Sequence, residues 1–199
     1  MSYSKFKFAD LKAQFGLQQI RTDIFPPTVK PLAPTAWLTE TLAKGARLPI
    51  TTEKMRSEVF VYPILVETLE RNNDFIQLFS GENLMANKKA KLTGEIDFIL
   101  AKGSGVTELQ APIISVVEAK KSDIQAAIPQ CAAQMIGVRT FNDLHGCTLP
   151  IIYGAVTTGE DWLFLRLKDM ELETDTQTFY LSDLPSLLGV LQYIVDSYR

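Results

Sequence analysis

Pro112-Ile113-Ile114-Ser115-Val116-Val117-Glu118-Ala119-Lys120 is an apolar run of strand length that ends in an acid and an amine. Side chains alternate across a strand, so the spacing puts Ile114, Val116, Glu118 and Lys120 on one face and turns Ala119 away. An exposed ion pair at a strand end is the plain alternative, and such pairs contribute little. The apolar neighbours on the same face argue for burial instead, and a buried ionisable group needs a partner. A carboxylate and an ammonium side by side at a sheet edge can hold a metal ion and position a water.

Upstream, Thr93-Gly94-Glu95-Ile96-Asp97-Phe98-Ile99-Leu100 reads as a second acidic strand. Alternation places Ile96, Phe98 and Leu100 on one face and Glu95, Asp97 and Ile99 on the other. Residues 101–110, with Gly103 and Gly105, suit a hairpin-type return between the two strands. Pairing them brings Asp97 toward Glu118 and Lys120. The alternative for Asp97 is a solvent-facing position beside Glu95, which remains the weaker substitute.

In this order the residues resemble the PD-(D/E)XK nuclease superfamily: an acid on one strand (Gly94-Glu95-Ile96-Asp97), Glu-x-Lys on the next (Val116 to Lys121), then a helix containing Gln130-Cys131-Ala132-Ala133-Gln134-Met135. Residues 153–164 look like the strand-turn-strand that follows the helix in several members, including nuclease domains of type I restriction enzymes. The resemblance spans residues 55–168, and it departs from the pattern at Ile96, which stands where a proline often precedes the first acid. It implies an α/β fold with a restriction-endonuclease-like mixed β-sheet flanked by helices, in the core order α-β-β-β-α-β. It also implies a metal-dependent nuclease that hydrolyses phosphodiester bonds of nucleic acid, with DNA as the favoured partner. Mg²⁺ or Mn²⁺ would be held by Asp97, Glu118, a backbone carbonyl near Ala119 and Glu58, the family's first-helix glutamate. Hard oxygen donors of this kind suit those ions. Lys120 would orient the attacking water and offset developing negative charge, and Gln130 would orient the lysine or the substrate.

Two of these residues also have readings from spacing alone. Helical periodicity puts Glu58 on one stripe with Tyr62, Leu65 and Leu69, so the acid points where apolar groups point; a snorkelling or ion-paired acid is the alternative. Gln130 and Gln134 lie four apart on one helix face, which a polar surface would equally explain. Lys88, Lys89 and Lys91, with Lys102 and Lys121 in neighbouring positions, form a solvated loop or a set of phosphate contacts. His145 is the single histidine and stands in a turn context, which disfavours a histidine-centred triad. Trp37 and Trp162 read as packing residues.

The 199 residues are 46% hydrophobic and 22% charged, enough for one domain with a sizeable core. A formal charge of -3 argues against indiscriminate binding to nucleic acid, but contact strength follows the phosphates neutralised locally. No apolar run reaches the length of a membrane span, residues 1–8 lack a secretory hydrophobic stretch, and Cys131 and Cys147 form no metal-type cluster. Reduced thiols in a cytoplasmic protein without membrane attachment are the expectation.

Residues 1–50 read as an irregular arm packed on the core, with short helices at 8–15 and 35–43 separated by Pro26, Pro27, Pro31 and Pro34. The nuclease-like domain is expected over 51–199. It begins with a helix from 53 to 71, capped by Thr51 or Thr52 and bent by Pro63. Strands are predicted at 75–80, 93–101 and 112–120. A helix at 124–139 follows, capped by Ser122-Asp123 and distorted by Pro129. Strands at 150–157, 162–168 and 177–181 precede a closing helix at 184–198, whose leucines finish the core or form a homodimer contact. A nuclease-like domain that binds nucleic acid or a protein without cutting is the principal alternative function. A glycosidase using Asp97 and Glu118 is disfavoured, because Lys120 would lower the pKa of the general acid.

Overall fold

The apolar and alternating runs become seven strands of one mixed sheet in the order β1-β7-β6-β5-β4-β3-β2. In the computed structural model, which describes residues 3–199, these are β1 (Gln18–Thr22), β2 (Ile76–Asn87), β3 (Leu92–Lys102), β4 (Ile113–Ala119), β5 (Ile151–Thr157), β6 (Asp161–Lys168) and β7 (Glu171–Tyr180). The pairs β4–β5 and β1–β7 are parallel, and the rest are antiparallel. Strand β4 holds the middle of the sheet and is buried along its whole length. Its continuous apolar run is what a strand covered on both faces requires.

Helix α5 (Ile124–Leu144) makes the crossover that parallel β4 and β5 need, and it covers one face of the sheet. There Ala127, Cys131, Ala132, Met135 and Val138 pack on Ile99, Val116, Val156 and Leu165. The opposite face carries α2 (Ala36–Gly45), α4 (Tyr62–Glu70) and α6 (Leu184–Asp196). Leu38, Ile64, Leu65 and Leu191 meet Phe98, Val117, Trp162 and Phe164 on that side. Helix α5 runs unbroken through Pro129, contrary to the expected distortion. The proline costs one backbone hydrogen bond near the helix start, and burial of Ile128, Cys131 and Ala132 around it outweighs that loss.

The single helix expected over 53–71 is instead α3 (Glu53–Arg56), a π-helical turn (Ser57–Val61) and α4. Pro63 has no N–H to donate back, and a wider turn just before it absorbs the mismatch. Thr52 is the cap, its hydroxyl accepting from the Met55 N–H at 3.1 Å.

The first fifty residues hold α1 (Phe8–Phe15) and α2 near their predicted places, but also β1, an edge strand that the sequence does not announce. Gln18-Gln19-Ile20-Arg21-Thr22 is largely exposed and carries no alternation to read. Strands β2 and β7 extend well beyond their predicted spans, because their added parts are mostly polar and the apolar residues buried there, Leu84, Ala86 and Leu172, are covered by contacts remote in the chain.

Two face assignments are corrected. A register shift in the β3–β4 pairing puts Ile113 in the α5-side core, while Ile114 packs with Leu100 and Val195. Ile96 likewise joins Ile99 on the α5 side, whereas Phe98 packs on the other. The cysteines are free. No helix among the described residues is long and apolar enough to cross a membrane.

Candidate active site

Glu118 closes the α5 face of β4. Asp123 caps α5 only a few residues after the strand ends, its carboxylate accepting from the Ala126 N–H at 3.0 Å, so the following turns pass over that end of the sheet. Gln130 and Gln134, one turn apart, both reach down to Glu118. Gln130 Nε2 donates to Oε1 and Gln134 Nε2 to Oε2, each at 2.5 Å. Lys120 Nζ donates to the same Oε1 at 2.5 Å. The carboxylate is thus held from three directions while 1% exposed. Gln134 is fully buried and holds Glu118 as directly as Gln130 does, although the resemblance favours Gln130 and spacing does not separate the two.

Asp97 arrives from β3, where Phe98 pairs with Val117. Its Oδ2 accepts from the Ala119 N–H at 2.7 Å, fixing the carboxylate to the peptide between Glu118 and Lys120. The β2 stretch opposite carries Gly81 at φ +69°, a left-handed conformation that favours glycine. With no side chain there, the wall beside Asp97 stays open. A cleft of about 370 Å³ lies against it, lined by Glu53, Glu58, Tyr62, Glu95, Asp97 and Ala119, among others.

The electrostatics concentrate negative charge. Burial raises the Glu118 pKa, and the charge of Asp97 pushes the same way; together they outweigh Lys120 and carry it up to about 7. Burial also raises Asp97, against the Ala119 hydrogen bond and Lys120. Burial works against the charge on Lys120, but Glu118, Glu53 and Asp97 outweigh it and raise the ammonium pKa. The lysine is therefore a cation at neutral pH.

The remaining sequence candidates sort clearly. Glu58 does not point where apolar groups point: with Tyr62 it faces the cleft, whereas Leu65 is buried. Its carboxylate is largely exposed at the cleft wall and lies 3.8 Å from Lys54. Glu95 is exposed at the cleft as well. The acid that reaches the centre is Glu53, which no sequence pattern singles out. Its Oε1 stands 3.9 Å from Lys120 Nζ, and its Oε2 accepts from the Lys121 N–H at 3.1 Å. The available signal is its place directly after the Thr52 cap, which fixes it at the first turn of the helix.

The β5–β6 turn clamps this helix start. Arg56 Nη1 donates to the Thr158 carbonyl at 3.3 Å and to Glu160 Oε2 at 2.7 Å. Gly159, at φ +86°, lies so close to Phe60 that a Cβ would stand 2.8 Å from that side chain. Other candidates lie apart. Lys102 donates to the Tyr198 carbonyl and sits over the Phe75 ring, and His145 ends α5 with Nδ1 on the Phe141 carbonyl. Trp162 is fully buried, whereas Trp37 is half exposed.

Among the described residues, no three His, Cys, Asp or Glu side chains form a group that could hold a metal ion by themselves. The donor chemistry of Asp97 and Glu118 nevertheless fits a hard divalent cation. They are two carboxylates whose burial and mutual repulsion leave negative charge undercompensated beside a cleft. No family model matches the chain, and no curated protein does.

Proposed function

We propose that this protein is a Mg²⁺- or Mn²⁺-dependent nuclease of the restriction-endonuclease-like type, hydrolysing phosphodiester bonds of nucleic acid, with DNA the favoured substrate. The observation that carries the reading is the bond from Asp97 to the Ala119 N–H, which ties an acid of one strand to the peptide between Glu118 and Lys120. Asp97, Glu118 and the Ala119 carbonyl would hold the cation, with Glu53 rather than Glu58 as the supporting helix acid. When bound, the ion supplies charge neutralisation at the phosphate and acidifies water.

The chain's own groups do the rest. Gln130 and Gln134 fix the Glu118 rotamer, so the carboxylate needs little reorganisation. Lys120, kept charged by Glu118 and Glu53, orients the attacking water through its free N–H bonds and offsets charge developing on the phosphate. The open wall at Gly81 admits the substrate backbone to Asp97.

Lys120→Ala is expected to abolish Mn²⁺-dependent cleavage of mixed DNA substrates, a loss of at least about 10²-fold, while the circular dichroism spectrum stays unchanged. Full activity in the folded variant removes the mechanism. One observation favours the alternative of a domain that binds without cutting: both oxygens of Glu118 are already engaged by Lys120, Gln130 and Gln134. The same assay separates the two, because a binding module cleaves nothing in any divalent cation.

A further inference from the structure

The β2–β3 hairpin outruns the sheet. Its pairing continues to Asn87 opposite Leu92, whereas β4 joins β3 no farther out than Phe98. The overhanging end is backed by the N-terminal segment. Tyr3 Oη donates to the Leu84 carbonyl at 3.1 Å, and Gln14 Nε2 donates to the Ala90 carbonyl at 2.9 Å. Phe6, Leu11, Leu84, Ala86 and Leu92 share one buried cluster.

This packing joins two stretches distant in the chain, and both are basic. Lys5, Lys7 and Lys12 come from one, and Lys88, Lys89 and Lys91 from the other. All six are exposed, and no ion pair among the described residues engages any of them. The one acid in the two stretches, Asp10, is bound to the Lys7 N–H. A chain of net charge -3 therefore gathers six lysines against one acid in these two stretches, while Glu82 and Glu95 lie farther back along the hairpin, toward the cleft. Lys91 moreover takes φ +64° at the turn, where glycine or asparagine would be less strained. Unpaired like charges repel, and a polyanion relieves that repulsion.

We infer that the hairpin tip and the N-terminal segment form a phosphate-binding arm that grips nucleic acid at a distance from the Asp97 cleft. This deepens the nuclease reading and rests on it for the choice of a nucleic acid over other anions. The tip and the cleft belong to one element: Asp97 lies five residues from Leu92, about 17 Å at the rise of a strand. That is about five base-pair steps of a duplex. A backbone entering at Gly81 and Asp97 and running along the hairpin meets the lysines before the next helical turn carries it away.

Fluorescence anisotropy of a labelled duplex in EDTA, with cleavage off, tests this across roughly 50 to 200 mM salt. The variants are Lys88→Glu/Lys89→Glu/Lys91→Glu and Lys5→Glu/Lys7→Glu/Lys12→Glu, each checked for an unchanged melting temperature. The corresponding Lys→Gln sets serve if charge reversal impairs folding. Each set is expected to weaken binding at least tenfold and to flatten the slope of log K against log salt by about 0.9 for each phosphate that the variant no longer neutralises. Affinity and slope within twofold of the parent protein overturn the arm. So does binding to phosphatidylserine vesicles with none to the duplex. Mn²⁺-dependent cleavage by the parent protein is a separate measurement: its failure removes the hydrolase and leaves the binding result standing.

Discussion

At Glu118, burial and the charge of Asp97 both disfavour ionisation, and this has a measurable consequence for stability. Its native pKa of about 7 lies above the ordinary 4.5. Between those values the folded chain holds a proton that the unfolded chain has released, so stability falls as pH rises from about 4.5 to 7. The raised Asp97 adds in the same direction. A series of thermal melts without divalent cations should show the melting temperature declining across that window, and Glu118→Gln should flatten the decline. Equal slopes in the two proteins would show that Glu118 is not the group responsible. At this scale Glu118 and Lys120 are legible as the end of an apolar run, Asp97 follows from the expected strand pairing, and Gln130 stands out only through the family resemblance. The sequence did not expose Glu53, whose importance depends on the angle at which α3 meets the end of β4, nor the depth of Gln134.

Among the elements, the attachment of α2 to α4 is the most specific contact in the N-terminal half. Glu67 is 2% exposed, and accepts from the Thr35 N–H at 3.2 Å, the Thr35 hydroxyl at 2.6 Å and Arg71 Nη2 at 2.6 Å. Burial opposes its charge, but the bonds from Thr35 and Arg71 outweigh this and lower its pKa. Its stabilisation is therefore present above the ordinary value and lost only as the pH falls below it, outside the Glu118 window. Glu67→Ala leaves the Thr35 cap and Arg71 without their acceptor and should cost about 1–3 kcal/mol in urea denaturation. A change within the error of the measurement would mean that water replaces the carboxylate at no cost. Element positions were readable where an apolar run or a cap marked them, as for β4 and for the Asp123 start of α5. The split of the 53–71 helix was only half readable: Pro63 announced a disturbance, but the π-turn also depends on Arg56 and Phe60 meeting the β5–β6 turn.

For the molecule as a whole, the first fifty residues are part of the sheet and of the core rather than an addition to them. Strand β1 covers the edge of β7, Leu38 is fully buried, and the Phe25 ring packs on Phe164, Phe179 and Tyr193. A chain beginning at residue 51 is expected to lose its cooperative thermal transition and expose apolar surface to a hydrophobic dye. A sharp melt in that truncation would show the arm to be dispensable. Sequence by itself determined the α/β class, a buried strand that ends in an acid and an amine, and the helix that follows, because these depend on local apolar patterning and hydrophobic burial. Tertiary structure alone decided that β1 is a strand, that Glu53 rather than Glu58 meets Lys120, and that two lysine-bearing stretches some eighty residues apart share one surface. Such contacts are fixed by how faces pack across the fold, and no short window of residues contains that information.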